Sequence, residues 1–555
     1  MATNTVFHNT SAIGNEGSAA ETRDAAFDEQ AMSLKDNVKL YWPGVLWALN
    51  VSFSLIMEGF DIVLLQSLYA MPQFNQKYGV LADDGTYTIP ASWKTALSNG
   101  ALCGQIIGLF FGGFFVDRYG YKKTIAGAQL LMKATIFALF FAPNVQILLL
   151  GEILCGVPWG MFQCMATAYS SDVVSLKLRP ILCTWGNACW VIGQLIASSV
   201  LRGMLDRADQ WAYRIPFALQ WAFTLPLWIY IIYGPESPWW LVRKNRIPEA
   251  KQVILSLTSR TNTTFNPDAY VAMMTETNER EALISAGTSY LDCFKGTNLR
   301  RTECASLVWL IQATCGSTFM GYSTYFYQQA GLPTKMAFNF TMGQYAIGIV
   351  GTLGSWFLIG YIGRRTIYLV GCCILFYLLL QTGFISLLPE TNKPSRWAIG
   401  SSLLVYTFIY DLTVGPICYA LISELSSTRL KSKTIVISRM TYIVGSIISN
   451  FITNYQLTPL PTGWDWGARS AFFWAASCAL CVFWIYFRLP EPKGRTCGEM
   501  DVLFECKISA RNFKETKIED LVLTANMSTG VASSMATEEA GKRTAGNPIR
   551  NRDQV

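Results

Sequence analysis

The chain has 555 residues, 51% of them apolar and only 15% charged, against about 25% charged in soluble domains, so much of its surface must face lipid. Its net charge of +7 does not point to nucleic acid, because the basic residues are dispersed along loops where a membrane protein places them. Of its fifteen cysteines, most fall inside apolar stretches, where a free thiol behaves as a small hydrophobe, so neither a disulfide framework nor a metal site is expected.

In chain order, residues 1–40 are polar and of mixed charge and read as a disordered N-terminal tail, with no cleavable leader. Six apolar stretches follow near 44–70, 93–116, 124–142, 145–168, 180–202 and 213–234, each long enough to cross a hydrocarbon layer of about 30 Å. Residues 235–302 form a polar linker with short helical patterns. Six more spans lie near 303–329, 340–361, 366–389, 397–423, 433–457 and 468–488, before a tail over 491–555 that from about 508 is rich in Ser, Thr, Ala, Gly and charge and reads as disordered. The expected fold is an all-α membrane protein of twelve helices in two bundles, 41–234 and 303–490. Lys and Arg are roughly twofold richer in the loops on one side, which puts both termini and the linker in the cytosol. Gly415-Pro416 should break the tenth span, since proline removes a backbone bond.

Loop signals repeat. Asp117-Arg118-Tyr119-Gly120-Tyr121-Lys122-Lys123 follows the second span, and Gly363-Arg364-Arg365 follows the eighth. Asp172 and Arg179 are echoed by Glu424 and Arg429, and Pro235-Glu236 by Pro490-Glu491. A once-repeated six-span unit is the plan of transporters with a substrate site between parallel halves. Charges at matched span ends suit a gate that must close and reopen, because a hydrated ion pair contributes only about 0–1 kcal/mol. The gate set is Asp117, Arg118, Asp172, Arg179, Glu236, Arg364, Arg365, Glu424, Arg429 and Glu491.

Charged residues inside spans are costly. The candidates for a functional role are Glu58, Asp61, Lys133, Glu152, Asp411 and Arg439. The single histidine, His8, lies in the N-terminal tail, so proton coupling would need a buried carboxylate. Glu58 and Asp61, three apart and on one helix face, are expected to act on each other. No nucleophile, metal or phosphate-loop motif suggests an enzyme, and no cofactor is expected.

In their order and spacing these motifs resemble the sugar-porter branch of the major facilitator superfamily, over about residues 45–505. Met57-Glu58-Gly59-Phe60-Asp61, Gly156-Val157-Pro158-Trp159-Gly160, Gly321-Tyr322-Ser323-Thr324-Tyr325-Phe326 and Ser438-Arg439 are most similar to fungal α-glucoside (maltose-type) permeases. The resemblance implies a plasma-membrane, proton-coupled importer of maltose-like sugars, working as a monomer, with an uncoupled hexose facilitator, a sugar sensor or a carrier of another glycoside as alternatives. Where related proton symporters pair a first-span Asp with a fourth-span Arg, this chain has Glu152, so that pair cannot form and Arg439 becomes the counter-charge. Gln105 stands where maltose-type relatives tend to carry an acid. Sugar hydroxyls call for planar amides and aromatic faces; the candidates are Gln312, Tyr325, Tyr419, Gln344, Gln163, Gln194, Trp159 and Asn187. Trp42, Trp93 and Trp397 read as interfacial anchors. Asn339 opens an Asn-X-Thr sequon too close to a span for use.

Overall fold

The computed structural model describes residues 33–516 apart from 82–84, 176–177, 260–265, 286–288, 389–392, 427–428, 494, 496 and 514; the rest of the two expected tails lies outside the described residues. The membrane-crossing segments are α1 (Leu34–Leu68), α2 (Ala91–Tyr119), α3 (Tyr121–Phe140), α4 (Val145–Asp172), α5 (Arg179–Met204), α6 (Trp211–Tyr233), α7 (Gly296–Thr314, Thr318–Gly321 and Ser323–Gln329), α8 (Thr334–Tyr361), α9 (Arg364–Ile385), α10 (Lys393–Leu412 and Val414–Leu425), α11 (Lys431–Leu457) and α12 (Ala471–Arg488). Ten of the described helices are long and apolar enough to cross a membrane by length and composition; α5 and the broken α7 complete the twelve.

Three boundaries differ from the sequence expectation. α1 starts ten residues early, but Tyr41 is non-helical (φ −101°, ψ 18°) just before Pro43, so the long straight part begins about where the apolar run does. α7 is not continuous: Gly316 takes φ +100°, and a second interruption falls at Tyr322. The break in α10 lies at Thr413 (ψ −74°), two residues ahead of Gly415-Pro416, because proline fits the first turn of the new helix.

Small residues set the helix spacing. A Cβ on Gly104 or Gly108 of α2 would run into the carbonyls of Ile153 or Val157 on α4; one on Gly156 or Gly160 would meet those of Ala101 or Gln105. With no hydrophobic force between helices in lipid, such backbone contact lets dispersion hold them. It also draws α1, α2, α4 and α5 close enough for their polar side chains to meet.

At the face that carries the linker, the two repeats use one device. Glu236 accepts hydrogen bonds from the amides of Tyr121 (2.9 Å) and Lys122 (3.2 Å) at the start of α3. Glu491 accepts from the Thr366 amide (3.4 Å) at the start of α9. Each carboxylate caps a helix whose orphan N–H groups and dipole favour negative charge. Gly120 (φ +88°) and Gly363 stand directly against these carboxylates, where a Cβ would collide. Burial pushes the Glu236 carboxyl above its ordinary range, against the pull of the Ser237, Tyr121 and Lys122 amides.

The linker forms helices Pro238–Arg243, Ile247–Leu257 and Pro267–Ser285 and a 3-10 turn Tyr290–Phe294. The C-terminal segment packs further than expected: helix Cys497–Glu505 buries Met500, Leu503 and Phe504, and Phe513 beyond it is also buried. Arg301, itself buried, pairs with Asp501 and donates to Leu425 O (3.0 Å), which ties helix Cys497–Glu505 to the second half. The sequence does hold one C-x-x-C, Cys478 to Cys481 on α12; its thiols face Cys372 O (3.4 Å) and Thr314 Oγ1 (3.4 Å).

At the opposite face the halves touch. Ser67 Oγ meets Thr324 Oγ1 (3.1 Å), Lys94 Nζ donates to Tyr325 Oη (2.8 Å), and Gln328 Nε2 donates to Ala70 O (3.0 Å). Lys335 pairs with Asp206 (2.6 Å), and its hydrogen bond and charge hold the Asp206 carboxyl below its ordinary value. Arg202 Nε donates to Asn339 Oδ1 (2.8 Å), which places the sequon asparagine inside α8.

Candidate functional site: a polar cavity between the halves

A cavity of about 140 Å³ lies midway between the two bundles, with room for on the order of ten waters. The first half supplies Asp61 and Gln66 from α1, Ser98 and Gln105 from α2, Glu152 from α4, and Asn187, Trp190 and Gln194 from α5. The second half supplies Gln312 and Thr318 from α7, Tyr410, Asp411 and Tyr419 from α10, and Arg439, Tyr442 and Asn450 from α11. The breaks in α7 and α10 bring this many polar groups to mid-membrane: each leaves backbone groups that need partners, and Gln312 Nε2 takes one of them, Gly415 O (2.8 Å).

The coupling candidates resolve into two groups. Glu58 accepts from Gln105 Nε2 (2.8 Å), Trp190 Nε1 (3.2 Å) and Gln163 Nε2. Gln163 Oε1 in turn accepts from Arg439 Nε (2.8 Å). Arg439 therefore reaches Glu58 through an amide, and its guanidinium lies between the rings of Trp309 (4.4 Å) and Tyr442 (4.5 Å). Lys133 sits elsewhere, 4.5 Å from the Trp228 ring.

Asp61 forms the second group. Gln220 Nε2 donates to it, and its carboxyl lies beside that of Glu152. Both are fully enclosed, at 1% and 0% exposure, and Glu152 receives no bond from an N–H or hydroxyl donor. The expectation that Glu58 and Asp61 act on each other is thus corrected. Although close on one helix face, the two carboxyls take different partners: Glu58 turns to Gln105 of α2, Gln163 of α4 and Trp190 of α5, Asp61 to Glu152 of α4 and Gln220 of α6. The inverted charge at position 152 does not leave Asp61 alone; it makes a carboxyl pair.

Of the sugar-binding candidates, Gln312, Tyr419, Gln194 and Asn187 line the cavity. The other four lie outside it. Gln163 is the relay between Arg439 and Glu58. Gln344 is engaged by Tyr327 Oη (2.9 Å) and Met320 O (3.2 Å). Trp159 is fully buried where α4 packs, and Tyr325 belongs to the opposite-face closure. Gln66, Tyr410, Tyr442 and Asn450 went unanticipated. A lone Gln inside Leu64-Leu65-Gln66-Ser67 was the available signal. Asp411 had no assigned role; it accepts from Asn187 across the halves (3.4 Å).

The hydrogen bonds and ion pairs described for the ten candidate gate residues stay within one half and its adjoining linker or tail. Asp172 accepts from Ser237 Oγ (2.6 Å) and Tyr121 Oη (3.3 Å), and Arg179 lies 5.9 Å from the Trp239 ring. Asp117 offers its carbonyl to Trp240 Nε1 (3.2 Å), and Arg118 lies 5.6 Å from the Tyr119 ring. Glu424 pairs with Arg364 (3.2 Å), not with Arg429, which faces Asp292 of the linker. Arg365 donates to Tyr486 O (2.8 Å).

Comparison with known proteins gives this arrangement its family. Residues 47–504 match the family model described as "Sugar (and other) transporter". The alpha-glucosides permease MPH2 of Saccharomyces cerevisiae is 37% identical over 525 residues, 92% of this chain and 84% of that protein. The maltose permease MAL31 of the same yeast is 37% identical over 512 residues, 90% and 82% of the two chains. Among solved structures, the proton:xylose symporter XylE bound to 6-bromo-6-deoxy-D-glucose aligns with TM-score 0.68 at 17% identity, over 84% of this chain and 100% of that one. A partially occluded inward-open form of XylE from E. coli aligns at 0.66. The chain belongs to the sugar transporter family, a multi-pass membrane protein of the major facilitator fold.

Proposed function

We propose that this protein imports α-glucosides together with protons across the plasma membrane by alternating access, with both termini and the linker in the cytosol. The carrying observation is the Asp61–Glu152 carboxyl pair in the wall of a cavity otherwise suited to sugar. Two carboxyl groups side by side, with no cation between them, need a proton shared across the pair. A group that must hold a proton when enclosed and release it to water when opened is a proton carrier. The other walls offer amides and phenol rings from both halves, which suits a neutral polyol.

With this orientation, the closed opposite face is the extracellular one, and the structure is the inward-facing member of the cycle. The gate charges, held within each half, are then in their released arrangement; when the cytosolic side shuts they are brought together across the halves. One chain lines the whole cavity, so a monomer suffices. The maltose-type character rests on the yeast permeases the chain is similar to.

The test is uptake of a labelled sugar panel by a transporter-null yeast expressing this chain. Maltose-like sugars should accumulate, alkalinise an unbuffered suspension, and stop accumulating when a protonophore is added. Uptake unchanged by the protonophore would mean an uncoupled facilitator, and no uptake of any sugar would leave a sensor or a carrier of another solute.

A further inference from the structure

We infer that Gln66 is a substrate-contacting residue: its side-chain amide forms the roof of the central cavity and accepts a hydroxyl of the sugar. The inference rests on the sugar-transport reading and names a contact that the coupling acids do not provide. Gln66 lies on α1 five residues beyond Asp61, so about 7–8 Å further along the helix axis, roughly the length of one pyranose ring with its hydroxyls. It is 6% exposed and lines the cavity with Ser98, Thr318 and Gly321.

Its amide is incompletely used. Gln66 Oε1 is buried and accepts no hydrogen bond. The Tyr322 hydroxyl lies near the amide and accepts from Asn454 Nδ2 (2.9 Å), yet no hydrogen bond reaches Gln66 Oε1 in this arrangement. A buried carbonyl oxygen without a donor is costly, and the cost is recovered when a donor arrives. Sugar hydroxyls are the donors a transported substrate brings. An amide can also turn to present either end, since oxygen and nitrogen are near-equal in shape.

The other half makes room for this amide. Gly321 stands opposite, in the broken part of α7, and a Cβ there would run into Gln66 Oε1. Ser67, the next residue on α1, is joined across the halves to Thr324, three residues beyond Gly321. Closure of the extracellular face therefore brings Gln66 down onto whatever occupies the cavity. A long polar side chain on one half, against a glycine on the other, is a fitted contact that sets which sugar hydroxyl is read.

The test compares wild type, Gln66→Leu, Gln66→Met and Gly321→Ala in a transporter-null yeast. KM and the turnover per surface-expressed molecule are measured for the preferred sugar and its monodeoxy analogues. Wild type should discriminate against at least one deoxy position by about tenfold or more. In Gln66→Leu that discrimination should vanish and KM for the parent sugar should rise about tenfold, while discrimination at other positions persists. Gly321→Ala, which displaces the amide, should lose discrimination at the same position. Gln66→Met keeps side-chain length without the amide and carries the test should Gln66→Leu not reach the surface. Wild type that tolerates every deoxy analogue equally, or a Gln66 variant that keeps the full pattern, overturns the inference while leaving sugar transport intact; failure of wild type to take up any sugar overturns the transport reading as well.

Discussion

Glu152→Gln is the sharpest perturbation of the coupling proposal. In the wild type, Asp61 has one amide donor, Gln220, and one carboxyl neighbour, Glu152, with no arginine or lysine bonded to either. Two charges about 4 Å apart at an effective dielectric near 20 repel by about 4 kcal/mol. Discharging the shared proton in the closed state is therefore disfavoured by that amount before any desolvation is counted. The substitution removes the repulsion and supplies an N–H that can donate to Asp61, a charge-assisted bond worth about 1.5–3 kcal/mol. Together these weaken the need for a shared proton by about 5–7 kcal/mol. Without its carboxyl neighbour the site no longer has to carry a proton between the two faces, and sugar movement should lose its coupling. In yeast expressing Glu152→Gln at wild-type surface density, sugar-induced alkalinisation should disappear and the accumulation ratio fall to about one, while counterflow exchange of sugar continues. Accumulation with the wild-type proton-to-sugar ratio would refute the reasoning.

Arg439→Leu should impair accumulation more than Lys133→Leu, because Arg439 reaches Glu58 through Gln163 whereas Lys133 lies against Trp228; the opposite order at equal expression would move the counter-charge to Lys133. Tyr325→Phe leaves the buried Lys94 Nζ without its hydrogen bond in the closed extracellular gate, a loss of about 1–3 kcal/mol, so a cysteine at the extracellular mouth should react at least about fivefold faster with an impermeant maleimide, and an unchanged rate would sink the lock. Arg364→Leu and Glu424→Gln should each shift the access equilibrium by less than about fivefold and should not add when combined, since they are partners; Arg429→Leu should add to either, and a non-additive Arg429–Glu424 cycle would restore the pairing read from the sequence.

How much of this was legible in the chain follows from what each feature depends on. Span existence rests on composition alone, because twenty apolar residues have nowhere to go but lipid, and the twofold repeat rests on loop signals that persist whatever the packing. The family motifs placed the acids at positions 58, 61 and 152 and the arginine at 439. Which of these meet is a different matter. Residues three apart on α1 point to different neighbours, and only the backbone-close packing of α2 on α4 and α1 on α5, made possible by facing glycines, decides that Glu58 joins the Gln105–Gln163–Arg439 network while Asp61 joins Glu152. The amides show the same divide. Gln312 and Gln344 look alike in sequence, yet Gln312 borders the cavity where α7 and α10 break, and Gln344 is fully engaged by Tyr327 and Met320. The gate charges could be listed but not paired, because a loop charge selects its partner by the fold of its own half. By itself the sequence determined the medium, the repeat, and the residue types that chemistry would need. Only the tertiary structure decided which side chains share an enclosed space, because contact between helices depends on rotation and depth that periodicity does not carry.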